Sequence, residues 1–411
     1  MKFLKLFFTL SIILILTGCN VNQPKENVKV IEFWTLQLEA FRPYITGLIS
    51  QYELQNPNVK IKWVDIPFSE GEKRTLASVM SNNVPDVVNL NPDFSATLAT
   101  RKALTNITEY VEQDVLNQYL PQTIDNLTYQ ENIFGIPWYL TTSVTYYNKK
   151  LTNQITTSLP QDYFELKEFS QELKETTGFY SLMPTVCESG NFLKILNKYN
   201  AIAYTDGNLI FDNKTSAELL DLFKYLYQND LIPKESVTQT HREALEQFMS
   251  GQTALLVSGT NFLNTIKENA PEVYANLGIY EQLSGKDGKT DFSMMNLIIP
   301  LKSKHPKEAI DFALFLTNSQ NQLEFAKLAP VFPSQKEALE NEYFSKNNGD
   351  LEQQVRYLGA QSLNNSVAPI KIQKNHATLN EIIDSMTQKI LLNKEKTENA
   401  LRKSQQEWLN Y

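Results

Sequence analysis

The sequence predicts an α/β protein of two domains, and three observations carry that prediction. Strand-like and helix-like segments alternate from position 28 onward, the chain has 411 residues, and no period of 20–50 residues repeats. At roughly 100–200 residues per domain, this length points to two domains rather than one. A composition of 42% hydrophobic and 20% charged residues supplies an ordinary core, and 14 Gly with 17 Pro excludes a fibrous chain.

Residues 28–34 (VKVIEFW) alternate and are rich in β-branched and aromatic side chains, which predicts a strand. Residues 40–55 then place Phe41, Ile45, Leu48, Ile49 and Tyr52 at helical spacing and stop before Asn56-Pro57. A second strand is expected at 59–66, a helix at 74–81 and a short buried strand at 85–90 (PDVVNL). In such sheets ligands sit beyond the carboxyl ends of the strands, so 35–39 and 91–94 are placed at the rim of a cleft. Residues 133–148 (IFGIPWYLTTSVTYYN) differ: Gly135 and Pro137 punctuate them and aromatic residues crowd both sides. Helices are expected at 162–175, 216–229, 241–250 and 307–316, and strands at 252–257, 277–280 and 295–300. The last ninety residues read as mostly helical.

Lys plus Arg number 38 against 46 Asp plus Glu, so the chain lacks the basic field that a phosphate backbone requires, and no nucleic acid partner is expected. Two cysteines and three scattered histidines argue against a Cys/His zinc site, and no EF-hand spacing appears; no cofactor is expected. At the start, Lys2 and Lys5 precede an apolar run at 6–16, too short to span ~30 Å of hydrocarbon at about 1.5 Å per residue. The proportions are those of a secretory signal peptide. Leu16-Thr17-Gly18-Cys19 resembles the lipobox of bacterial lipoproteins, which implies cleavage after 18 and acylation of Cys19. Polar residues 19–27 would form the tether. The expected location is extracytoplasmic, lipid-anchored to the membrane.

Five further segments occur in a telling order: FW at 33–34, PDVV at 85–88, FGIPWY at 134–139 with TYYNKKL at 145–151, FMSGQTALLVSG at 248–259, and KHPKEAIDFALFLTNSQNQ at 304–322. Together the chain resembles the family 1 extracellular solute-binding proteins of ABC importers. The resemblance implies a two-lobed periplasmic-binding-protein type II fold, with discontinuous lobes joined by a hinge. Lobe one would hold 28–137 and 286–316, and lobe two 138–285 and 317–411, with a third crossing near 317–323. It implies a monomer that takes a small-molecule ligand, a sugar or oligosaccharide, between its lobes. Closure would then deliver it to the transporter's membrane subunits.

A sugar needs an aromatic face and fixed polar groups. Asp93 stands where the family places a hydroxyl-gripping aspartate, with a helix N-terminal cap as its plainer role. Trp34, Gln37 and Glu39 lie at the first strand end, and either line the cleft or pack and solvate there. Trp138 and Tyr139 flank the first crossing, as a sugar platform or as hinge packing. Tyr146 and Tyr147 read as core, since the His and carboxylate companions of a ferric site are not evident. Glu188, Ser189 and Asn191 fall in a region that contacts ligand in the family. Asn261 and Phe262 stand where the family commonly has a tryptophan, so either Phe262 supplies the ring or the ligand is smaller or more polar. Asn296 approaches from the returning segment. Alternatives are a polyamine, phosphate ester, peptide or metal chelate in the same fold, a carbohydrate-active enzyme, or a sensor without an importer. No catalytic motif is present.

Overall fold

The computed structural model describes residues 28–205, 208–371 and 376–411. The signal-peptide segment, Cys19 and the tether lie outside them. β1 (Lys29–Leu36) turns Ile31 and Phe33 fully inward, as its alternation requires. α1 (Arg42–Gln55) buries Ile45, Leu48, Ile49 and Tyr52, the helical stripe read from the sequence. β2 (Val59–Ile66) pairs with β1 in parallel from Lys29↔Val59 to Leu36↔Ile66. α2 (Gly71–Ser81) and β3 (Val87–Leu90) follow, β3 joining the other side of β1 through Phe33↔Val87. α3 (Pro92–Thr100) opens at the end of β3, with Asn91 as its cap: the Asn91 side chain accepts from the N–H of Phe94.

The aromatic-crowded stretch is one long strand, β4 (Ile136–Asn148), shared by both lobes. Beyond it come α4 (Leu166–Thr177), α5 (Asn191–Lys198), α6 (Lys214–Gln228), α7 (His241–Met249), β5 (Leu255–Gly259) and β6 (Leu277–Tyr280). β7 (Phe292–Ile298), α8 (Pro306–Leu316), α9 (Ser319–Leu328) and β8 (Phe332–Pro333) precede three long terminal helices. These are α10 (Leu351–Leu363), α11 (His376–Leu391) and α12 (Thr397–Asn410). The main path of the sheet runs β6-β4-β7-β3-β1-β2, with β5 and β8 also on β4. Residues 136–142 of β4 pair antiparallel with β7, whereas 143–147 pair with β5 and 145–148 with β6. The handover falls at Thr142–Ser143. There Gly359 of α10 presses on the strand: a Cβ at that glycine would lie 2.8 Å from Thr260 and 2.9 Å from Thr142. Thr142 Oγ1 donates to the Gly359 carbonyl at 3.2 Å.

One core surrounds Phe33, Trp138, Phe312 and Phe325; another, on the far side of the handover, gathers Phe169, Phe192, Phe223 and Trp408. Phe325, Ala329 and Phe332 belong to the first core, although the sequence reading places 317–411 in lobe two. The physical reason is that Phe325 stacks on Trp138 at 5.8 Å, which ties α9 to lobe one. Crossing is instead spread along α10, where Val355 and Leu358 meet lobe two while Ala360 and Leu363 meet lobe one. The strand expected at 295–300 begins earlier, at Phe292, because β7 must reach Thr142 to complete its pairing.

Candidate functional site

A cleft of about 650 Å³ opens at the β4 handover and is lined there by Thr141, Thr142 and Ser143. Lobe two contributes the 182–189 loop, the start of α5, the start of α7 and the end of β5 with Asn261 and Phe262. From the opposite side come Asp291, Phe292 and Ser293, with Pro330 and Val331 before β8. A second chamber of about 300 Å³ adjoins it and shares Ser189, Lys194 and residues 291–293. It is closed by Asn91, Pro92 and Asp93 from lobe one and by His376 and Asn380 from α11. Strand ends and helix starts meet here, where side chains face a common space.

The charges in the cleft are mostly spoken for. Glu188 accepts the backbone N–H of His241 at 2.9 Å. Lys198, 2% exposed, donates to the Leu283 carbonyl at 2.8 Å and to the Tyr163 hydroxyl at 3.3 Å, and faces Asp291 at 3.7 Å. Burial disfavours its charge, but Asp291 and Tyr163 outweigh that and hold the ammonium above its ordinary value. Asp93 meets His376 across the second chamber at 3.3 Å. Desolvation raises the Asp93 carboxyl, with His376 and Lys194 opposing and Glu72 adding to the rise. Lys194 donates to Asn191 Oδ1 at 3.1 Å, and Asn191 in turn donates to Thr185 at 3.3 Å. Among the described residues no group of His, Cys, Asp and Glu could hold a metal ion. No helix there is long and apolar enough to cross a membrane.

A two-lobed cleft of this kind has relatives. The family model for bacterial extracellular solute-binding proteins matches residues 37–323. The chain belongs to that family. Among solved structures this solute-binding protein is similar to one from Synechococcus sp. MITs9220 assigned as an oligosaccharide periplasmic-binding protein. The two are 31% identical, 93% of this chain and 98% of that one are covered, and the TM-score is 0.82. The sugar-binding protein MalE of Xanthomonas citri shares the fold at a TM-score of 0.79 and 20% identity, with 92% and 96% covered. Among curated relatives, the galactooligosaccharide-binding protein of Bacillus subtilis is 22% identical over 67% of this chain and 66% of its own length. The maltotriose-binding protein of Pyrococcus abyssi is 23% identical over 56% of this chain. The match spans just under two thirds of the first relative's length and 49% of the second's.

Within this solute-binding fold the expected site residues divide into two sets. Asp93, Glu188, Asn191, Asn261 and Phe262 line the two chambers. The others lie elsewhere. Trp138 is 1% exposed, enclosed by Phe33, Tyr139 and Phe325, so it is core and offers no face to a ligand. Tyr139 packs edge-on to Phe325, and burial raises its hydroxyl above its ordinary value. Asn296 is fully buried and exchanges hydrogen bonds with Ser95, its amide donating at 3.0 Å, which ties β7 to α3. Trp34 is half-buried against Val88 and Leu36, and its indole N–H donates to Glu32 at 2.7 Å. Glu39 is exposed and clasps Arg42 at 2.5 Å. Trp34, Trp138, Tyr139 and Asn296 lie within strands whose facing the sequence does not disclose, and Glu39 begins a short 3-10 turn after β1. Residues that sequence reasoning passed over also line the cleft: Lys194, Lys198, His241, Ser258 and Asp291. A signal existed for His241, since Thr240 and Glu243 form a capping box that fixes it at the start of a helix. For a buried lysine late in an amphipathic helix there was none.

Proposed function

We propose that this solute-binding protein captures an oligosaccharide between its lobes by closure and presents it, unaltered, to the membrane subunits of an ABC importer. One observation carries the reading. The cleft combines apolar side chains from both of its sides (Phe262 and Val257, Phe292 and Val331) with hydrogen-bonding groups (Glu188, Asn191, Asn261 and, in the second chamber, Asp93). A sugar has that same duality of C–H face and hydroxyl rim. Partial burial of one ring contributes on the order of 1–3 kcal/mol at about 25 cal/mol per Å². Hydrogen bonds to charged groups add about 1.5–3 kcal/mol each. Micromolar affinity, about −8 kcal/mol, needs no more than a few such contacts. The names of relatives that bind galactooligosaccharides, maltotriose and arabinooligosaccharides support the same ligand class. Two connected chambers favour a chain of sugars over a single ring.

Anchoring completes the proposal: residues 1–18 direct export, acylated Cys19 enters the bilayer, and 19–27 tether a monomer whose cleft faces outward. Acyl chains contribute about 0.8 kcal/mol per buried CH₂, so two or more hold stably. A Cys19→Ser substitution should abolish incorporation of labelled palmitate and release the protein from the membrane fraction. The ligand is tested by thermal shift with maltotriose, a galactotriose and an arabinotriose. A sugar at 100 times its Kd adds about 2.7 kcal/mol and raises Tm by several degrees. A response to spermidine or a peptide and to no sugar would replace the ligand class. New products after incubation with the sugars would replace binding by catalysis.

A further inference from the structure

The ring of His241 stands on the cleft wall with more support than packing requires. Its backbone N–H is held by Glu188 at 2.9 Å. Its Nε2 lies 2.9 Å from the hydroxyl of Ser258, a residue only 2% exposed. Its ring meets Phe262 at 5.4 Å and 64°. Three elements, the 182–189 loop, β5 and the start of the helix Phe262–Asn269, converge on one imidazole. Nδ1 has no hydrogen-bond partner among the described residues.

We propose that His241 is a ligand-contacting, specificity-determining residue that reads one hydroxyl of the bound oligosaccharide and braces Phe262 as the stacking ring. The inference rests on the carbohydrate reading above. A serine hydroxyl both donates and accepts, so Ser258 can supply or take the proton at Nε2. Whichever it does, Nδ1 takes the complementary role toward the cleft. A sugar hydroxyl is likewise both donor and acceptor, so Ser258, His241 and ligand form a chain that runs in either direction. An epimer or deoxy sugar lacking that hydroxyl leaves the nitrogen unpaired and is rejected.

The reading needs a neutral ring. Desolvation lowers the basicity of His241, with Lys194 acting the same way and Glu188 opposing. From β5 and residues 261–262 only Ser258 and Phe262 face it, both uncharged. On its own helix Arg242 is paired with Glu246, and Glu243 with Thr240. Acid therefore converts both nitrogens to donors and adds a cation beside Lys194, and capture weakens below the ordinary histidine range near 6.5.

The test uses the full chain in detergent, with maltotriose, a galactotriose and an arabinotriose as probes, by calorimetry between pH 5 and 8. His241→Phe keeps the ring and removes both nitrogens; His241→Asn serves if that variant does not fold. The expected result is a Kd at least tenfold weaker at pH 7.5, with the acid weakening of the wild type abolished. Ser258→Ala should cause a smaller loss. A variant Kd within twofold of wild type, with the same pH profile, overturns the inference alone. Binding of none of the three sugars by the wild type overturns it together with the carbohydrate reading.

Discussion

Removing the indole of Trp138 empties a space bounded by Phe33, Tyr139 and Phe325, with no cleft to relax into. Trp138→Ala should cost about 3–5 kcal/mol in denaturant unfolding, whereas Trp138→Phe, where it folds, should leave sugar affinity within twofold. Asn296→Ala strips the Ser95 hydroxyl of its buried partner and should cost about 1–3 kcal/mol, again without a change in Kd. Asp93→Asn belongs to the opposite class: little change in Tm, and a loss of affinity read by calorimetry. The sequence permits this sorting only in part. Asp93 follows Pro92 directly after a buried strand, so its place at a helix start beside the strand ends was legible. Trp138 and Tyr139 were legible as aromatic neighbours of a crossing, but which way each ring points depends on the pleat of β4 and on Phe325, nearly two hundred residues away. Lys198 pairs with Leu283, 85 residues on, and with Asp291 just beyond it, partners that no local pattern shows.

Local patterns suffice for most helices because a 3.6-residue period shows itself within one segment. α1, α6, α7 and α8 begin or end within two residues of where the spacing places them. β4 was harder to read, since its burial answers first to one core and then to the other. Helix α4 offers an acid-sensitive joint. Its Glu172 accepts hydrogen bonds from the hydroxyl of Thr157 and from the backbone and hydroxyl of Thr156 at 2.8 Å. Those bonds hold the carboxyl down at about 2. A carboxylate whose folded value lies below its unfolded one stabilises fully above the unfolded range, near 4.3, and loses that contribution as pH falls toward 2. Urea midpoints measured from pH 5 to pH 2 should therefore fall less steeply in Glu172→Gln than in the wild type. At the start of α7, Thr240→Ala breaks the capping box and should cost about 1 kcal/mol.

Across the whole molecule, the lobes touch at the second chamber through Asp93 and His376. A ligand shifts the open–closed balance only by its different affinity for the two states. Saturating sugar should lower the radius of gyration in small-angle scattering, and His376→Ala should enlarge the ligand-free particle. The two-domain character was legible from length, and the order of motifs pointed to interleaved lobes. The return along α10 was not, because it hangs on the close approach of Gly359 to Thr142. The sharing of β4 also governs how the protein is made and lost. Residues 136–142 find their partner only in β7, which is made after β5 and β6, so lobe one is not a finished product that translation can set aside. Genes cut at Ser143 should yield two insoluble fragments. Fluorescence, in which four tryptophans report, Trp138 and Trp408 from separate cores, should follow one sigmoid that coincides with loss of helix.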